Sequence, residues 1–341
     1  PLTIPHIANA VKKGVPVSGE LDIFYQANRL PVIAITGTNG KTTTTTLLGE
    51  LLASCGFTPF VGGNIGIPLV ELLMDDKKYD VVVAEISSFQ MDLAQRFRPE
   101  VGVLLNIAED HLDRYDSFAD YKASKWRLFE YQKETDTAVI NQSAQGLGQM
   151  KDTLSARLFC FSSGRDPKRG LDPVCRARIS PDYIEISHQA HSSMIRTAGL
   201  ARLSGLHNQE NLAAALLAGL AVNADIHQME TGLKHFKGLS HRIEPCGRVN
   251  GVRFYNDSKA TNVDAVIRAL ESLAPETQTA DAEKKIVLIL GGRGKGTDFS
   301  QLSQAVEARV KAVVALGETR NNIIEALGSQ VPCMAAADMA E

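Results

Sequence analysis

Short apolar, β-branched runs alternate with helix-spaced segments along most of this chain, and that alternation limits the folds open to it. Strand-like runs occur at Pro31–Thr36 (PVIAIT), Tyr79–Ile86 (YDVVVAEI), Val101–Ile107 (VGVLLNI) and Thr137–Asn141 (TAVIN). Helical spacing follows at Thr42–Ala53, Ser87–Phe97 and Ala119–Tyr131. Strands that are apolar throughout, separated by helices, predict βαβ units and a mostly parallel sheet covered on both faces. The fold class read from this is α/β.

Leu158–Thr197 breaks the pattern, with more Gly, Pro and Ser and with short alternating runs such as YIEIS. It reads as a small antiparallel excursion. Helical spacing returns at Asn208–Val222, and a boundary is expected near FKGLSHRIEP. New strands at VRFYND, KIVLILGG and AVVALG then announce a second α/β domain. The expected organisation is a first piece at 1–30, a central domain at 31–239 and a C-terminal domain at 240–341. The first thirty residues are too few for a domain and read as the tail of one. The final MAAADMAE reads as the start of a helix, so the C-terminal domain is expected to be incomplete and the chain to be part of a longer product.

At 341 residues, two or three domains fit a prior of roughly 150 residues each. With 44% hydrophobic and 22% charged residues, the chain can bury a core. A net charge of −3 argues against a nucleic-acid binder that relies on a basic surface. No apolar run reaches the roughly 18 residues of a membrane span, and no signal peptide is visible. Cys55, Cys160, Cys175, Cys246 and Cys333 are scattered without a CxxC pair, which reads as reduced thiols and a cytoplasmic location.

The stretch ITGTNGKTTTTTLLGELL joins the first strand to the first long helix. In such a strand–loop–helix unit, backbone N–H groups of the turn and of the helix N-terminus converge on an anion. Gly37 and Gly40 permit close approach, Lys41 can reach the β- and γ-phosphates of a nucleotide, and Thr42 offers a hydroxyl for Mg²⁺. Thr38, Asn39 and Thr43 complete the loop. The spacing departs from the common phosphate loop, which places glycine where Ile35 stands. Thr44–Thr46 read as helix surface and packing.

Glu85 closes a strand on the face where parallel sheets bind ligands. Two roles are open for it, a Mg²⁺ ligand or a helix-capping carboxylate for the SSFQ that follows. LNIAEDHLDRY places Glu109, Asp110, His111, Asp113 and Arg114 just past the next strand, where a histidine can bind metal or substrate. Lys125 lies on an amphipathic helix and, taken alone, is a surface lysine. Asn208 and Asn211 share a helix face, and capping by Asn208 is as good a reading as ligand contact. Asp257 and Lys259 in YNDSKATN, and Arg293 and Lys295 in LGGRGKGTDF, end strands of the second domain. Either loop alone could be a plain turn; together they suggest a cleft between domains.

Taken in order and spacing, GTNGKTT, GGNIG, EISSFQ, NIAEDHLDRY, GLHNQENLAAA, HRIE, NDSKATN and GGRGKGTDF resemble the Mur ligases of peptidoglycan synthesis, over about Pro31–Phe299. The pair EDHLDRY and NDSKATN is similar to the branch that adds D-glutamate. It differs from the branches adding L-alanine, a diamino acid or the terminal dipeptide, and from folylpolyglutamate synthase. The resemblance implies an N-terminal uridine-nucleotide domain of which 1–30 is a remnant, a P-loop central ATPase domain, and a Rossmann-like C-terminal domain. It implies a cytoplasmic monomer using ATP and Mg²⁺ to join D-glutamate to UDP-N-acetylmuramoyl-L-alanine through an acyl phosphate. It further implies Mg²⁺ at Glu85, a second Mg²⁺ at His111, and a carbamylated lysine at Lys125. Asn64, Ser87 and Ser88 fall near the muramoyl substrate, and Asn208 and Asn211 at the adenine. Arg242 and Asp257 fall at the ATP phosphates and ribose, and Lys259, Thr261 and Lys295 around D-glutamate. With both flanking pieces expected to be short, ATP binding is expected to survive and turnover to be weak or absent.

Overall fold

The computed structural model describes residues 4–110, 114–163, 173–188, 191–198, 200, 203, 205–273, 286–293 and 297–339. The chain forms two compact units. The first comprises Pro1–Ile107, Ser117–Ala201 and Asn208–Phe236; the second comprises Ala108–Asp116, Arg202–His207 and Lys237–Glu341.

In the first unit, helices α1 (Pro5–Lys12) and α2 (Glu20–Ala27) precede strand β1 (Val32–Thr36). Then come α3 (Lys41–Ser54), β2 (Pro59–Gly63), β3 (Val81–Glu85), α4 (Ser88–Leu93), β4 (Val101–Leu104), α5 (Phe118–Trp126) and β5 (Thr137–Asn141). The run continues with α6 (Leu147–Met150), β6 (Arg157–Ser162), β7 (Cys175–Ile179), β8 (Tyr183–His188), β9 (His191–Arg196), α7 (Leu206–Ala221) and α8 (Ile226–Leu233). The strands form one nine-stranded sheet in the order β2-β3-β1-β4-β5-β6-β7-β8-β9. Every residue of β1, β3, β4 and β5 is buried, as both-face coverage requires. Helix α3 supplies part of that cover: Leu47, Leu48, Leu51 and Leu52 are fully buried, and the helix packs on β1, β2, β3 and α8.

The excursion expected at Leu158–Thr197 is corrected in part. Strand β6 pairs parallel with β5, and β7 parallel with β6; β8 alone of these is reversed, pairing antiparallel with both β7 and β9, and all of them extend the main sheet. Alternating burial in β7 and β8 marks strands near the sheet edge, and alternation alone does not fix strand direction. Strand β2 lies in a stretch that carried no strand expectation. It is the sheet edge and opens on Pro59, a place proline tolerates. No helix of the described residues is long and apolar enough to cross a membrane.

The second unit holds hairpin β10 (Glu244–Val249) and β11 (Val252–Asn256), then α9 (Val263–Ser272), β12 (Ile286–Gly291), α10 (Ser303–Arg309), β13 (Val310–Leu316), α11 (Arg320–Leu327) and β14 (Cys333–Ala335). Strands β12, β13 and β14 form a parallel sheet, with Val306, Val310, Val313, Ile323 and Leu327 in its core. The helix start expected at Met334 is overturned: Cys333–Ala335 pairs with β13 instead, because apolar Cys333 completes this core.

His207, near the α9 residues Asp264 and Arg268, is held to a pKa of about 4 by burial and by the Arg268 charge. Above about pH 6.5 it is neutral folded or unfolded, so stability is flat. As pH falls from there to 4, the unfolded chain takes up a proton that the folded chain refuses. Stability should therefore drop through this window, by at most about 3 kcal/mol. Denaturant melts of the wild type and His207→Gln between pH 4 and 7 check this; equal slopes in the two proteins would contradict it.

Candidate nucleotide site

The carboxyl ends of β1, β3 and β4 meet where the strand order reverses, because β1 sits between β3 and β4. Open α/β sheets bind ligands at this place. The loop Gly37–Gly40 leaves β1 there and enters α3. Gly40 precedes α3 with φ at 87°, a conformation that costs a side-chain-bearing residue energy. A Cβ on Gly40 would also overlap the amide of Asn211, a buried residue of α7. Gly40→Ala is therefore expected to weaken ATP binding about tenfold or more, from about 1–3 kcal/mol of strain. Titration calorimetry checks this, and wild-type affinity in that variant would contradict it.

Two ammonium groups converge on the loop. Lys41 Nζ donates to the carbonyls of Gly37 and Thr38 at 2.8 and 2.9 Å. Lys125 Nζ donates to the same Gly37 carbonyl at 3.0 Å and sits 4.5 Å from the Tyr121 ring centre. Lys125 is only 1% exposed, so the helix-surface reading of it is overturned: the residue lies on the face of α5 turned to the loop. The Tyr121 hydroxyl pairs with Thr38 Oγ1 at 3.1 Å.

Glu85, 2% exposed at the end of β3, accepts from Thr42 Oγ1 at 2.9 Å and from Asn64 Nδ2 at 2.8 Å. It does not cap α4. Ser87 does, in a capping box in which its Oγ accepts from Gln90 N–H and its N–H donates to Gln90 Oε1. Ser88 is buried, and its carbonyl accepts from Ser124 of α5. The backbone N–H of Asn64 donates to the Glu85 carbonyl at 2.8 Å, which fixes the β2 loop beside the carboxylate.

Thr43 is buried, and Thr44 and Thr45 are fully so, their hydroxyls lacking hydrogen-bond partners. Thr44 and Thr45 are thus packing residues, and Thr46 is half-buried at the helix surface. Asn208 lies inside α7, which begins at Leu206, so the capping alternative fails for it.

The second unit gathers Arg242, Asp257, Lys259 and Thr261 around one turn. Asp257 accepts from Ile243 N–H at 3.1 Å; burial pushes its pKa above the usual carboxylate range, against the smaller lowering effect of that bond and of the Arg242 charge. His241 and Ile243, on either side of Arg242, have φ of 64° and 47°, rare for such residues. Lys259 and Thr261 are exposed. Asn262 caps α9 and donates to Asp110 at 3.2 Å. His111 and Lys295, both expected site residues, lie outside the described residues.

Two contributors were not singled out in the sequence. Tyr121 is one and Asn106 the other. Asn106 Oδ1 accepts from Asn39 N–H at 2.9 Å, its Nδ2 donates to the Asn39 carbonyl at 3.0 Å, and its own carbonyl accepts from Thr38 N–H at 3.1 Å. The available signal was an amide just past the β4 strand end, placed as Glu85 is at the end of β3.

A parallel sheet with a glycine–lysine loop at its switch point and a carboxylate on the adjoining strand end defines a phosphate-loop α/β protein. Residues 35–219 match the Mur ligase middle domain, and residues 241–341 match the Mur ligase glutamate ligase domain. The chain belongs to the Mur ligase family, whose members are ATP-dependent, ADP-forming ligases. It is 41% identical over 326 residues to a UDP-N-acetylmuramoylalanine–D-glutamate ligase of Pelotomaculum thermopropionicum, across 96% of this chain and 68% of that protein. It is 41% identical over 341 residues to a protein of the same name from Pelobacter propionicus, across 100% of this chain and 73% of that one. Its fold matches MurF from Acinetobacter baumannii with a TM-score of 0.71 at 20% identity, over 93% of this chain and 70% of that chain. MurF from Thermotoga maritima, solved in complex with ADP, matches at 0.68 with 18% identity, over 93% and 73%.

Proposed function

We propose that this chain joins D-glutamate to UDP-N-acetylmuramoyl-L-alanine, with ATP cleaved to ADP and phosphate. The carrying observation is identity of 40–41% over 96–100% of the chain to proteins bearing that name. In this reaction the acceptor carboxylate takes the γ-phosphoryl group to give an acyl phosphate, and the D-glutamate amine displaces phosphate.

The geometry supports the phosphoryl half. Amides of Gly40–Thr43 at the start of α3 would meet the anion, those of Thr38 and Asn39 being taken by Asn106, and Lys41 would swing from its loop carbonyls to the transferring group. Lys125 and Tyr121 brace the loop from α5. Thr42 and Glu85 present two hard oxygens 2.9 Å apart beside the loop, which suits an ion that keeps water and phosphate as its other ligands. Mg²⁺ held there would neutralise phosphate charge. Asn64, Ser87 and Ser88 would meet the muramoyl group, Asn208 and Asn211 the adenine, and Arg242 and Asp257 the phosphates and ribose. Lys259, Thr261 and Lys295 would meet D-glutamate, and His111 a second Mg²⁺.

Incubation with ATP, UDP-N-acetylmuramoyl-L-alanine and single amino acids, followed by mass spectrometry, tests the assignment. The expected product carries D-glutamate alone. A product with a different amino acid, or nucleotide binding with no product from any, would overturn it.

A further inference from the structure

We infer that Asn106 is a positioning residue for the phosphate loop, acting as a clasp that holds the loop in its anion-binding shape before nucleotide arrives. The inference rests on the nucleotide reading above. Both polar atoms of the Asn106 side chain engage the backbone of one residue, its Oδ1 accepting from the Asn39 N–H at 2.9 Å and its Nδ2 donating to the Asn39 carbonyl at 3.0 Å, from 67 residues away in sequence. The Asn106 carbonyl takes the neighbouring Thr38 N–H at 3.1 Å. Three bonds thus tie two consecutive loop residues to the strand-end segment after β4. The ladder bond from Leu105 N–H to the Thr36 carbonyl, at 3.0 Å, anchors that segment to the end of β1.

A loop with glycines at both ends has wide conformational freedom when unbound. An anion that must order it loses affinity; one that meets it already ordered does not. Asn106 touches neither the phosphates' lysine nor the Thr42–Glu85 pair in the bonds above, so its effect runs through the shape of the loop. Leucine has the same branching and number of side-chain heavy atoms as asparagine but no polar ones, which separates the clasp from simple space-filling.

The test measures binding of inorganic tripolyphosphate and of ATP to the full chain by calorimetry, for wild type, Asn106→Leu and Asn106→Ala. Loss of two hydrogen bonds should weaken both ligands about 10- to 100-fold, and equally in the two variants. Leucine binding like wild type while alanine binds weakly would show that only volume matters and overturn the clasp. Equal binding in all three would do so too, while leaving the nucleotide reading intact. No binding by the wild type overturns both. Should either variant fail to fold, hydrogen exchange of the ligand-free wild type decides: Asn39 and Thr38 amides are expected to be protected, and exchange at the open-chain rate contradicts the clasp.

Discussion

Replacing Lys41 by alanine is expected to lower ligation by about 100- to 1,000-fold or more and to weaken ATP binding, the largest effect of any single change in this protein. The magnitude is that of removing one charged donor aimed at developing charge in a water-poor site. Two consequences of the loss have to be told apart. In the nucleotide-free state Lys41 holds the Gly37 and Thr38 carbonyls, so its removal also loosens the loop. Those are bonds to neutral acceptors at a half-buried residue, worth about 1.5–3 kcal/mol together at most. Lys125 still holds Gly37 in the variant. The loop should therefore survive, and the loss should fall on binding and rate more than on the melting temperature. Lys41→Met, which keeps the aliphatic stem, should match alanine in rate. A methionine variant with near-native rate would remove the lysine from the chemistry.

Glu85→Ala is expected to rank second, with a loss of at least about 100-fold in turnover at saturating ATP and Mg²⁺. The carboxylate is buried at a strand end and accepts from Thr42 and Asn64, so its removal deletes an anion and leaves two donors unpaired. Glu85→Gln separates these effects. It keeps one oxygen and the packing but lacks the charge that hard cations require. If Glu85 serves a cation, glutamine should be nearly as slow as alanine, and raising Mg²⁺ should recover part of the rate in neither. If it serves only as a hydrogen-bond acceptor, glutamine should retain most of the rate. Steady-state kinetics across a Mg²⁺ series distinguishes the two.

The parts of the site that the sequence made legible are those whose chemistry is local. A buried-strand run, a glycine turn, a lysine and a helix pattern are contiguous at Val32–Ser54, and each piece carries its own physical signal. Glu85 was legible as a charge at the end of an apolar run, although capping competed for it until Ser87 was seen to cap α4. Lys125 was illegible from its neighbours, because an amphipathic helix does not reveal which lysine turns inward. Only the pairing of α5 with the loop across 88 residues does so. The Asn106 clasp is hidden for the same reason. Thr44–Thr46 were legible as surface and packing residues but not as which of the two; α3 is covered on several sides, so Thr44 and Thr45 are buried with their hydroxyls unpartnered, while Thr46 is half-buried. Strand direction at β6 and β7 also escaped, since it is fixed by neighbours in the sheet.

The central claim is that main-chain amides of Gly40–Thr43, with Lys41 beside them, hold the triphosphate. A crystal structure of the chain with a non-hydrolysable ATP analogue and Mg²⁺ tests it most directly. The account predicts phosphate oxygens within hydrogen-bond distance of the Gly40–Thr43 amides and of Lys41 Nζ, with the cation at Thr42 and Glu85. Ordered analogue bound elsewhere, with Lys41 still folded onto the carbonyls of Gly37 and Thr38, would contradict it.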